Sequence, residues 1–205
     1  MGLELRTGEY GQYWGNDYNS SNALTQSQKE VNAKYILKAL GNKGFSINAI
    51  CGMLGNMETE SSLNPGRWES DRVGGEARAH GYGLVQWTPY TKYTNWCTSH
   101  PEQMDNNIKR IIYEIEHEVQ WIKTTQYNFS FSTFAKSKET PTYLADAFLK
   151  NYERPAEPNQ PQRGVQAEKW YKFLNEIEPK PIPTIRVQNT RKWFYKPKIR
   201  IILRR

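Results

Sequence analysis

Several features that commonly indicate a function are scarce in this 205-residue sequence. It contains two cysteines, Cys51 and Cys97, which are too few for a disulfide framework, and we expect both to be buried or partly buried free thiols. The three histidines, His80, His100 and His117, lack the spacing of metal ligands, so neither a zinc site nor a histidine-based nucleophile is predicted. No glycine-rich phosphate-binding turn precedes a helical pattern. We therefore expect no cofactor and no metal.

Long hydrophobic runs are also missing. No stretch approaches the roughly 20 apolar residues that span a bilayer, and no basic segment followed by an apolar one is typical of a signal peptide. We expect a soluble protein, made in a cytoplasm and without a membrane span. With 37% hydrophobic residues, the chain is long enough to bury the core of one domain that carries appendages.

Acidic residues are missing from one end of the chain. From Lys180 onward there are nine Lys or Arg and no acid, whereas the preceding residues hold 19 bases and 21 acids. The net charge of +7 therefore belongs to a C-terminal arm, set off by the proline-rich linker 179–183. Residues 184–187 and 198–203 are rich in β-branched side chains, which predicts one or two short strands. Such an arm suits docking on an acidic protein surface by strand addition, and binding an anionic polymer or DNA stays open.

The N-terminal residues show neither helical nor strand periodicity. Residues 8–22 are crowded with Gly, Tyr, Asn and Ser, which predicts an arm that is flexible or becomes ordered on assembly. Its aromatic residues leave two interpretations open, namely binding of sugars or a partner, and packing on the domain surface. These residues are Tyr10, Tyr13, Trp14 and Tyr18.

Between the arms the apolar periodicity is mostly helical. We expect one stripe from Ala33 to Leu40 and a longer one from Ile108 to Ile122. Further helices are expected at 90–99, 141–152 and 163–177. The glycine-rich residues 67–87 indicate a loop and a short strand. The prediction is a mainly α (α+β) protein with a small β element, an arm at 1–25, a domain at 26–178 and an arm at 179–205.

A glutamate follows one further helical pattern, in which Ser46 is a plausible N-cap. Residues 64–66, Asn-Pro-Gly, must break that helix. If the helix reaches Glu60, its carboxylate shares a face with Met53 and Met57. A half-apolar wall favours a protonated carboxyl, as a general acid for glycosidic cleavage requires. Glu60 therefore suits proton donation.

Three segments resemble known motifs. Residues 60–65, Glu-Ser-Ser-Leu-Asn-Pro, resemble the Glu-Ser-x-aromatic/aliphatic-Asn-Pro motif of the lysozyme-like superfamily, which includes goose-type lysozymes and soluble lytic transglycosylases. The resemblance implies that Glu60 is the catalytic acid. Residues 81–87 resemble the Gly-Leu-x-Gln strand that lines the sugar cleft, and residues 151–155 resemble the late tyrosine motif that closes the site. Three motifs in this order are far more specific than any one alone.

The stretch from Lys29 to Leu174 is closely similar to the lysozyme domain of tail-associated lysins from short-tailed phages of Gram-positive hosts. The resemblance implies a virion-associated muramidase, made in the host cytoplasm and carried at the tail tip or knob, that cleaves the glycan β-1,4 bond of peptidoglycan so that DNA can enter. It also implies phage tail proteins as partners, through the two arms. A lytic transglycosylase with anhydro products and an inactive tail structural or plug protein remain alternatives.

The sequence offers several candidates for the second carboxylate of the site. Glu69, Asp71 and Glu76 all fall in the cleft loop. We favour Asp71 as a water-positioning base because only a loop separates it from Glu60 along the chain. Glu58 fits the apolar face better by periodicity, but the motif selects Glu60. The predicted catalytic residues are Glu60, Asp71 and Tyr152.

The remaining site residues are expected to contact substrate or to order the site. Gln86 is expected to hydrogen-bond a sugar or Glu60, and Tyr152 to orient the acid. Glu153 and Arg154 are predicted to form a structural ion pair rather than to act in catalysis. The aromatic candidates offer flat faces for sugar rings, although such rings often belong to the core. The predicted substrate-binding residues are Gln86, Trp68, Tyr82, Trp87 and Ser61.

Overall fold

A computed structural model of the chain describes residues 2–74 and 80–177. About half of the chain is helical, which confirms the predicted mainly α fold. Glu76 and the predicted C-terminal linker and basic arm lie outside the described residues, as do the side chains of Asp71 and Ile177. The helices are α1 (Gln26–Gly41), α2 (Ile47–Ser61), α3 (Thr91–Thr94), α4 (Met104–Glu116), α5 (Phe131–Lys136), α6 (Pro141–Phe148) and α7 (Gln162–Ile177).

The N-terminal residues form a β-hairpin, so the prediction of an arm without strand structure was wrong. Strand β1 (Leu3–Gly8) pairs antiparallel with β2 (Gly11–Asn16), and Gly8 lies opposite Gly11 at the turn. The Tyr13 side chain is buried, and its ring packs edge-on against Tyr35 of α1 at 5.3 Å. The hairpin is thus attached to the domain.

Asn32 of α1 explains why the local pattern failed to predict this hairpin. Its amide exchanges two hydrogen bonds with the main chain of Trp14, each 2.7 Å long, and its Nδ2 also donates to the Leu63 carbonyl. A side-chain amide thereby pairs with the main chain of β2 at Trp14, on the edge that faces away from β1. These contacts join residues far apart in sequence, and no periodicity within residues 8–22 reports them.

Helix α2 lies at the centre of the domain and forms as predicted. The Ser46 hydroxyl accepts from the Ala49 amide as an N-cap, and the helix ends where Ser62 adopts a left-handed conformation with φ 55°. Its central residues from Ala49 to Met57 are buried against α6 and α7. A Cβ added at Gly55 would lie 2.3 Å from the Arg163 carbonyl oxygen, so α2 and α7 touch through their backbones.

Two predicted helices are shorter in the structure. The Ile108–Ile122 pattern ends with α4 at Glu116, because Glu118 and Gln120 take positive φ values of 50° and 70°. Beyond them Trp121 is buried by stacking on Phe131 at 4.7 Å, whereas the Ile122 side chain is 57% exposed. The predicted 90–99 helix is confined to α3.

The segment after α6 also differs from the prediction. Helix α6 ends at Phe148, and one turn of π-helix, Leu149–Glu153, follows it. Arg154 then takes a left-handed conformation with φ 50° and stops the helix. The wider turn places Tyr152 and Glu153 together at the entrance to the next loop.

Two further predictions concern the β element and the thiols. Within the described part of 67–87, only isolated bridges occur, from Tyr82 to Trp68 and from Tyr82 to Trp87. Cys51 and Cys97 are free and buried, which confirms that prediction. Burial raises the pKa of the Cys51 thiol to about 12.

None of the described helices is long and apolar enough to cross a membrane.

Candidate functional site

A cleft of about 490 Å³ brings the three sequence motifs together. Glu60 reaches it from the end of α2, Gln86 from the loop after the Tyr82 bridge, and Tyr152 from the π-helical turn. The packing of α2 against α6 and α7 brings Glu60 near the π-helical turn that follows α6, and the loop that carries Gln86 completes the cleft. The cleft is also lined by Trp68, Trp87, Glu69, Lys92, Glu153 and Arg154.

Glu60 forms an ion pair with a buried arginine. Its Oε1 lies 2.6 Å from Nη2 of Arg163, whose side chain is 5% exposed, while the Glu60 side chain keeps 21% exposure. Arg163 is held in turn by Oδ1 of Asn56 and by Oε1 of Gln160, at 3.1 and 2.8 Å. The guanidinium therefore fixes one carboxylate oxygen of Glu60, as charge-assisted hydrogen bonds do.

The neighbouring Glu58 points to a different part of the domain. Its Oε1 lies 3.1 Å from Nζ of Lys29, and its Oε2 accepts from Nε1 of Trp170 at 2.8 Å. Both partners belong to helices that flank α2. Helical periodicity selects Glu58 as the buried glutamate, but it is Glu60 that reaches the cleft.

Gln86 has a left-handed backbone, with φ 48°, and lines the cleft. Its Nε2 donates to the carbonyls of Arg67 and Gly83, each at 3.0 Å. Its Oε1 is buried and has no hydrogen-bond partner within the described chain. The described contacts of Gln86 are thus with the loop backbone rather than with Glu60.

Glu114 is a residue that the sequence analysis missed, and it holds two cleft residues. Its Oε1 accepts from Nε1 of Trp87 at 3.0 Å and from Nε of Arg110 at 2.9 Å, and its Oε2 accepts from the Tyr152 hydroxyl. Burial raises the pKa of Glu114, while the donors from Tyr152, Arg110 and Trp87 act in the opposite direction. An acid inside the apolar stripe of α4 was the available sequence signal.

The Tyr152 hydroxyl is therefore directed to Glu114 and not to Glu60. Burial raises the pKa of this tyrosine well above its ordinary value, and the charge of Glu114 adds to the effect. The phenol keeps its proton and acts as a hydrogen-bond donor. Tyr152 packs in the cleft floor and stacks on Phe148 at 4.4 Å.

Three predicted substrate-binding residues make their described contacts with the protein itself. Trp68 belongs to the cleft lining, but its side chain is fully buried and its Nε1 donates to the Tyr18 carbonyl at 2.8 Å. Tyr82 is also fully buried and stacks against Tyr93. The Ser61 hydroxyl donates to the carbonyls of Met57 and Leu84.

The carboxylates of the cleft loop have different surroundings. Asp71 ends a one-turn 3-10 segment, Glu69–Asp71, and its side chain lies outside the described residues. Glu69 lines the cleft, where its Oε2 accepts from the Gly81 amide at 2.6 Å. Asp71 as a water-positioning base stays a prediction.

Glu153 lines the cleft, and the predicted ion pair with Arg154 is absent among the described residues. Arg154 instead donates to the main-chain carbonyls of Gln120 and Asn151. The Glu153 Oε1 is buried, and none of the residues that the structure describes donates a hydrogen bond to it. Burial raises the pKa of Glu153 well above its ordinary value, and the charge of Glu60 is the second cause. The sequence signal was its place beside Tyr152 in the third motif.

Metal ligation finds no support in the part of the chain that the structure covers, where no group of three or more His, Cys, Asp or Glu is arranged to hold an ion.

Comparison with known proteins gives two findings. The family model of the phage tail lysozymes matches residues 31–174. Morphogenesis protein 1 of Bacillus phage B103 is 48% identical over 160 residues, which cover 77% of this chain and 43% of that relative. The chain thus spans less than half the length of the curated relative that it matches.

Proposed function

This chain belongs to the phage tail lysozyme family, and on that premise we propose that it is a virion-associated muramidase. It hydrolyses the β-1,4 glycosidic bond of peptidoglycan and so opens the host cell wall during DNA entry. The observation that carries the proposal is the position of Glu60, in one cleft with Gln86 and Tyr152 and beside the buried Arg163. A cleft that is open to solvent suits an extended glycan strand.

In the proposed reaction Glu60 gives its proton to the oxygen that bridges two wall sugars, and the bond from that oxygen to the anomeric carbon breaks. Water adds to the anomeric carbon, and its proton passes to Asp71, the proposed base. Each product then carries a hydroxyl at the cleaved position, and exchange with solvent resets both carboxyl groups. Glu60 thus acts as general acid and Asp71 as general base.

The cleft walls supply the binding groups of this proposal. Gln86 lines the cleft, and we infer that its side chain contacts a sugar of the bound glycan. Trp87 also lies in the lining, where Glu114 holds its indole nitrogen and its ring stacks on Tyr93 at 4.4 Å, and its contact with a sugar stays a prediction. Tyr152 and Glu114 hold the floor against which the glycan rests.

Placement in the virion follows from the family and from the relative's name. The family is that of the phage tail lysozymes, and the Bacillus phage relative is called a morphogenesis protein, which supports a place in the virion. We infer a position at the tail tip or knob, with the basic C-terminal arm docked on an acidic surface of a tail protein. Pull-down of tail proteins from disassembled virions, with and without residues 179–205, tests this partner.

A turbidity assay on purified Gram-positive cell walls tests the activity. The native chain is expected to clear the suspension, and Glu60→Gln is expected to slow clearing about 100-fold or more, since general acid catalysis contributes that much. Glu116→Gln, which removes an exposed carboxylate of α4 away from the cleft, is the matched control and retains the native rate. Equal clearing by Glu60→Gln and the native chain contradicts the assignment of the acid.

Mass spectrometry of the released fragments distinguishes the reaction types. Hydrolysis adds one water for each bond broken and gives reducing ends, whereas a lytic transglycosylase leaves anhydro ends. Reducing ends support the muramidase, and anhydro ends replace it by the transglycosylase. Intact walls with a folded native chain indicate a tail structural protein without activity.

A further inference from the structure

Each of the three guanidinium nitrogens of Arg163 has its own partner in the protein. Nε donates to Oε1 of Gln160 at 2.8 Å, Nη1 donates to Oδ1 of Asn56 at 3.1 Å, and Nη2 lies 2.6 Å from Oε1 of Glu60. Because the guanidinium is planar, contacts from all three nitrogens fix both its position and its rotation. The side chain is only 5% exposed, so water competes poorly for these contacts.

Asn56 is held firmly in its place beside Arg163. The residue is fully buried, and its Nδ2 donates to the carbonyls of Gly52 in α2 and Ala145 in α6, each at 3.0 Å. Since the amide nitrogen is directed to these two carbonyls, the amide oxygen is left for Arg163. Asn56 lies one turn before Glu60 on α2. The helix that carries the acid thus also carries a residue that orients the arginine of the acid.

Gln160 holds the same guanidinium from the segment that precedes α7. Its Nε2 donates to the Glu157 carbonyl at 2.8 Å, which directs its Oε1 to Arg163. The main-chain amide of Arg163 also donates to the Gln160 carbonyl, at 3.1 Å. Gln160 is partly buried and is not among the described residues that line the cleft. Any effect of its side chain on the reaction must therefore pass through Arg163.

The contact with Arg163 makes the two carboxyl oxygens of Glu60 unequal. Oε1 accepts from the guanidinium, and Glu60 keeps 21% exposure in the cleft. In a protonated carboxyl group, the carbonyl oxygen is a better acceptor than the hydroxyl oxygen. The oxygen that faces Arg163 is then the carbonyl oxygen, and the proton belongs on Oε2.

We propose that Asn56 and Gln160 are positioning residues for the acid. Acting through Arg163, they make Oε1 of Glu60 the acceptor of the guanidinium and Oε2 the oxygen that delivers the proton. This inference rests on the proposed function, because it concerns the acid of that reaction.

In the proposed transfer, the O–H bond at Oε2 breaks and a new O–H bond forms on the oxygen that bridges the two sugars. The electron pair of the broken O–H bond stays on Glu60, and that of the broken glycosidic bond stays on the bridging oxygen. Negative charge therefore develops on Glu60 as the proton leaves. Arg163 already lies beside that carboxyl group, so it stabilises the developing charge without rearrangement.

The first test is steady-state cleavage of soluble, uncrosslinked peptidoglycan strands by the full chain carrying Gln160→Met. Methionine keeps the length of the side chain and removes the acceptor for Nε of Arg163. We expect kcat to fall about tenfold because the acid is no longer held in one orientation. KM is expected to stay within about twofold of the native value, since Gln160 does not line the cleft. Gln160→Glu restores an acceptor oxygen and should return kcat toward the native value.

The second test uses a dinitrophenyl β-glycoside of a wall oligosaccharide, whose leaving group departs without receiving a proton. Its cleavage does not need the acid, so Gln160→Met is expected to retain native kcat on this substrate to within about twofold. Asn56→Leu is expected to behave in the same way when rates are normalised to folded protein measured by circular dichroism. Equal losses on both substrates in Gln160→Met overturn the inference and assign Gln160 a packing role, whether or not Asn56→Leu folds.

Gln126→Met is the matched control. Gln126 is exposed, makes two side-chain hydrogen bonds, with Tyr127 and Lys150, and is not among the described residues of the cleft lining. Its variant is expected to keep the native kcat on both substrates.

The two proposals fail in different ways. If Glu60→Gln loses activity on the peptidoglycan strands while Gln160→Met keeps the native kcat, the acid assignment stands and the positioning role is overturned. If Glu60→Gln also cleaves the strands at the native rate, the assignment of the acid fails, and the positioning role fails with it.

Discussion

The hydroxyl of Tyr152 donates its hydrogen bond to Glu114, a residue 38 positions earlier in the chain. The motif tyrosine therefore does not reach the acid in the described structure. It is tied to a buried carboxylate that also receives Trp87 and Arg110. Two walls of the cleft, one from the cleft loop and one from the π-helical turn, are therefore held by the same carboxylate.

Replacing Glu114 is expected to reduce both stability and activity. Glu114→Gln keeps the size of the side chain but leaves Arg110 without its carboxylate, and removing one partner of a buried ion pair costs about 3 kcal/mol. Urea denaturation measures this loss, and wall clearing is expected to fall with it because Trp87 and Tyr152 lose a common acceptor.

The exposed Glu116 on the same helix is the control for Glu114, and Glu116→Gln is expected to change the free energy of unfolding by less than about 0.5 kcal/mol. Equal losses in the two variants contradict the anchoring role of Glu114.

Glu153 is expected to reduce stability as pH rises. Its folded-state pKa lies above the ordinary value of 4.5, so between these two values the folded chain binds more protons than the unfolded chain. The stabilising contribution of the protonated carboxyl is complete below about pH 4.5 and is lost as the pH rises through the folded-state pKa. Glu153→Gln, which does not titrate, is therefore expected to be more stable than the native chain at neutral pH.

Thermal melting at several pH values checks this prediction. The difference in Tm between Glu153→Gln and the native chain should grow from acid to neutral pH. A constant difference across that range indicates that the substitution acts through packing and not through the proton.

A side chain at position 55 is expected to destabilise the protein. In Gly55→Ala the new Cβ meets the carbonyl oxygen of Arg163 at 2.3 Å, so α7 must move away from α2. Overpacking of this kind costs about 1 to 3 kcal/mol. Because Arg163 is the residue displaced, we expect wall clearing to decline more than the loss of folded protein accounts for.

Gly41→Ala is the matched substitution for Gly55→Ala, since a Cβ at this last residue of α1 meets no atom within 4 Å. It is expected to leave stability unchanged or to raise it by up to about 1 kcal/mol. Native-like activity and stability in both variants contradict close contact between α2 and α7.

The hairpin is expected to depend on Asn32. In Asn32→Ala the amide and the carbonyl of Trp14 and the carbonyl of Leu63 lose their partner, and buried polar groups left unpaired cost about 1 to 3 kcal/mol each. Hydrogen exchange at the Trp14 amide is expected to accelerate strongly. Unchanged protection there contradicts the attachment of β2 by this side chain.

Patterns within single segments predicted the N-cap of α2 and the apolar faces of the first two helices. Ser46 capped α2 as expected, and the periodic apolar residues of α1 and α2 are buried except Leu37 and Ile47, which are partly buried. Glu60, Gln86 and Tyr152, one from each motif, line one cleft. Fold class was therefore accessible from sequence.

Contacts between distant segments were not accessible in this way. The hairpin is completed by an asparagine of α1, and the role of Glu114 depends on donors from α4, from the cleft loop and from the π-helical turn. The environment of Glu153 is likewise set by α2 and α7. A sequence pattern reports spacing along one element, whereas these partners meet only after packing.

The attachment of the hairpin has a practical consequence for engineering. Asn16 of β2 is fully buried, and its main-chain amide donates to the side chain of Asn64. Asn64 lies in the turn that directly follows α2, the helix that carries Glu60. The same Asn64 side chain binds the carbonyl of Asn22 and the amide of Gly66. A chimeric protein whose borrowed domain begins at residue 26 would discard two of these three hydrogen bonds, so the transplantable unit includes the leading hairpin.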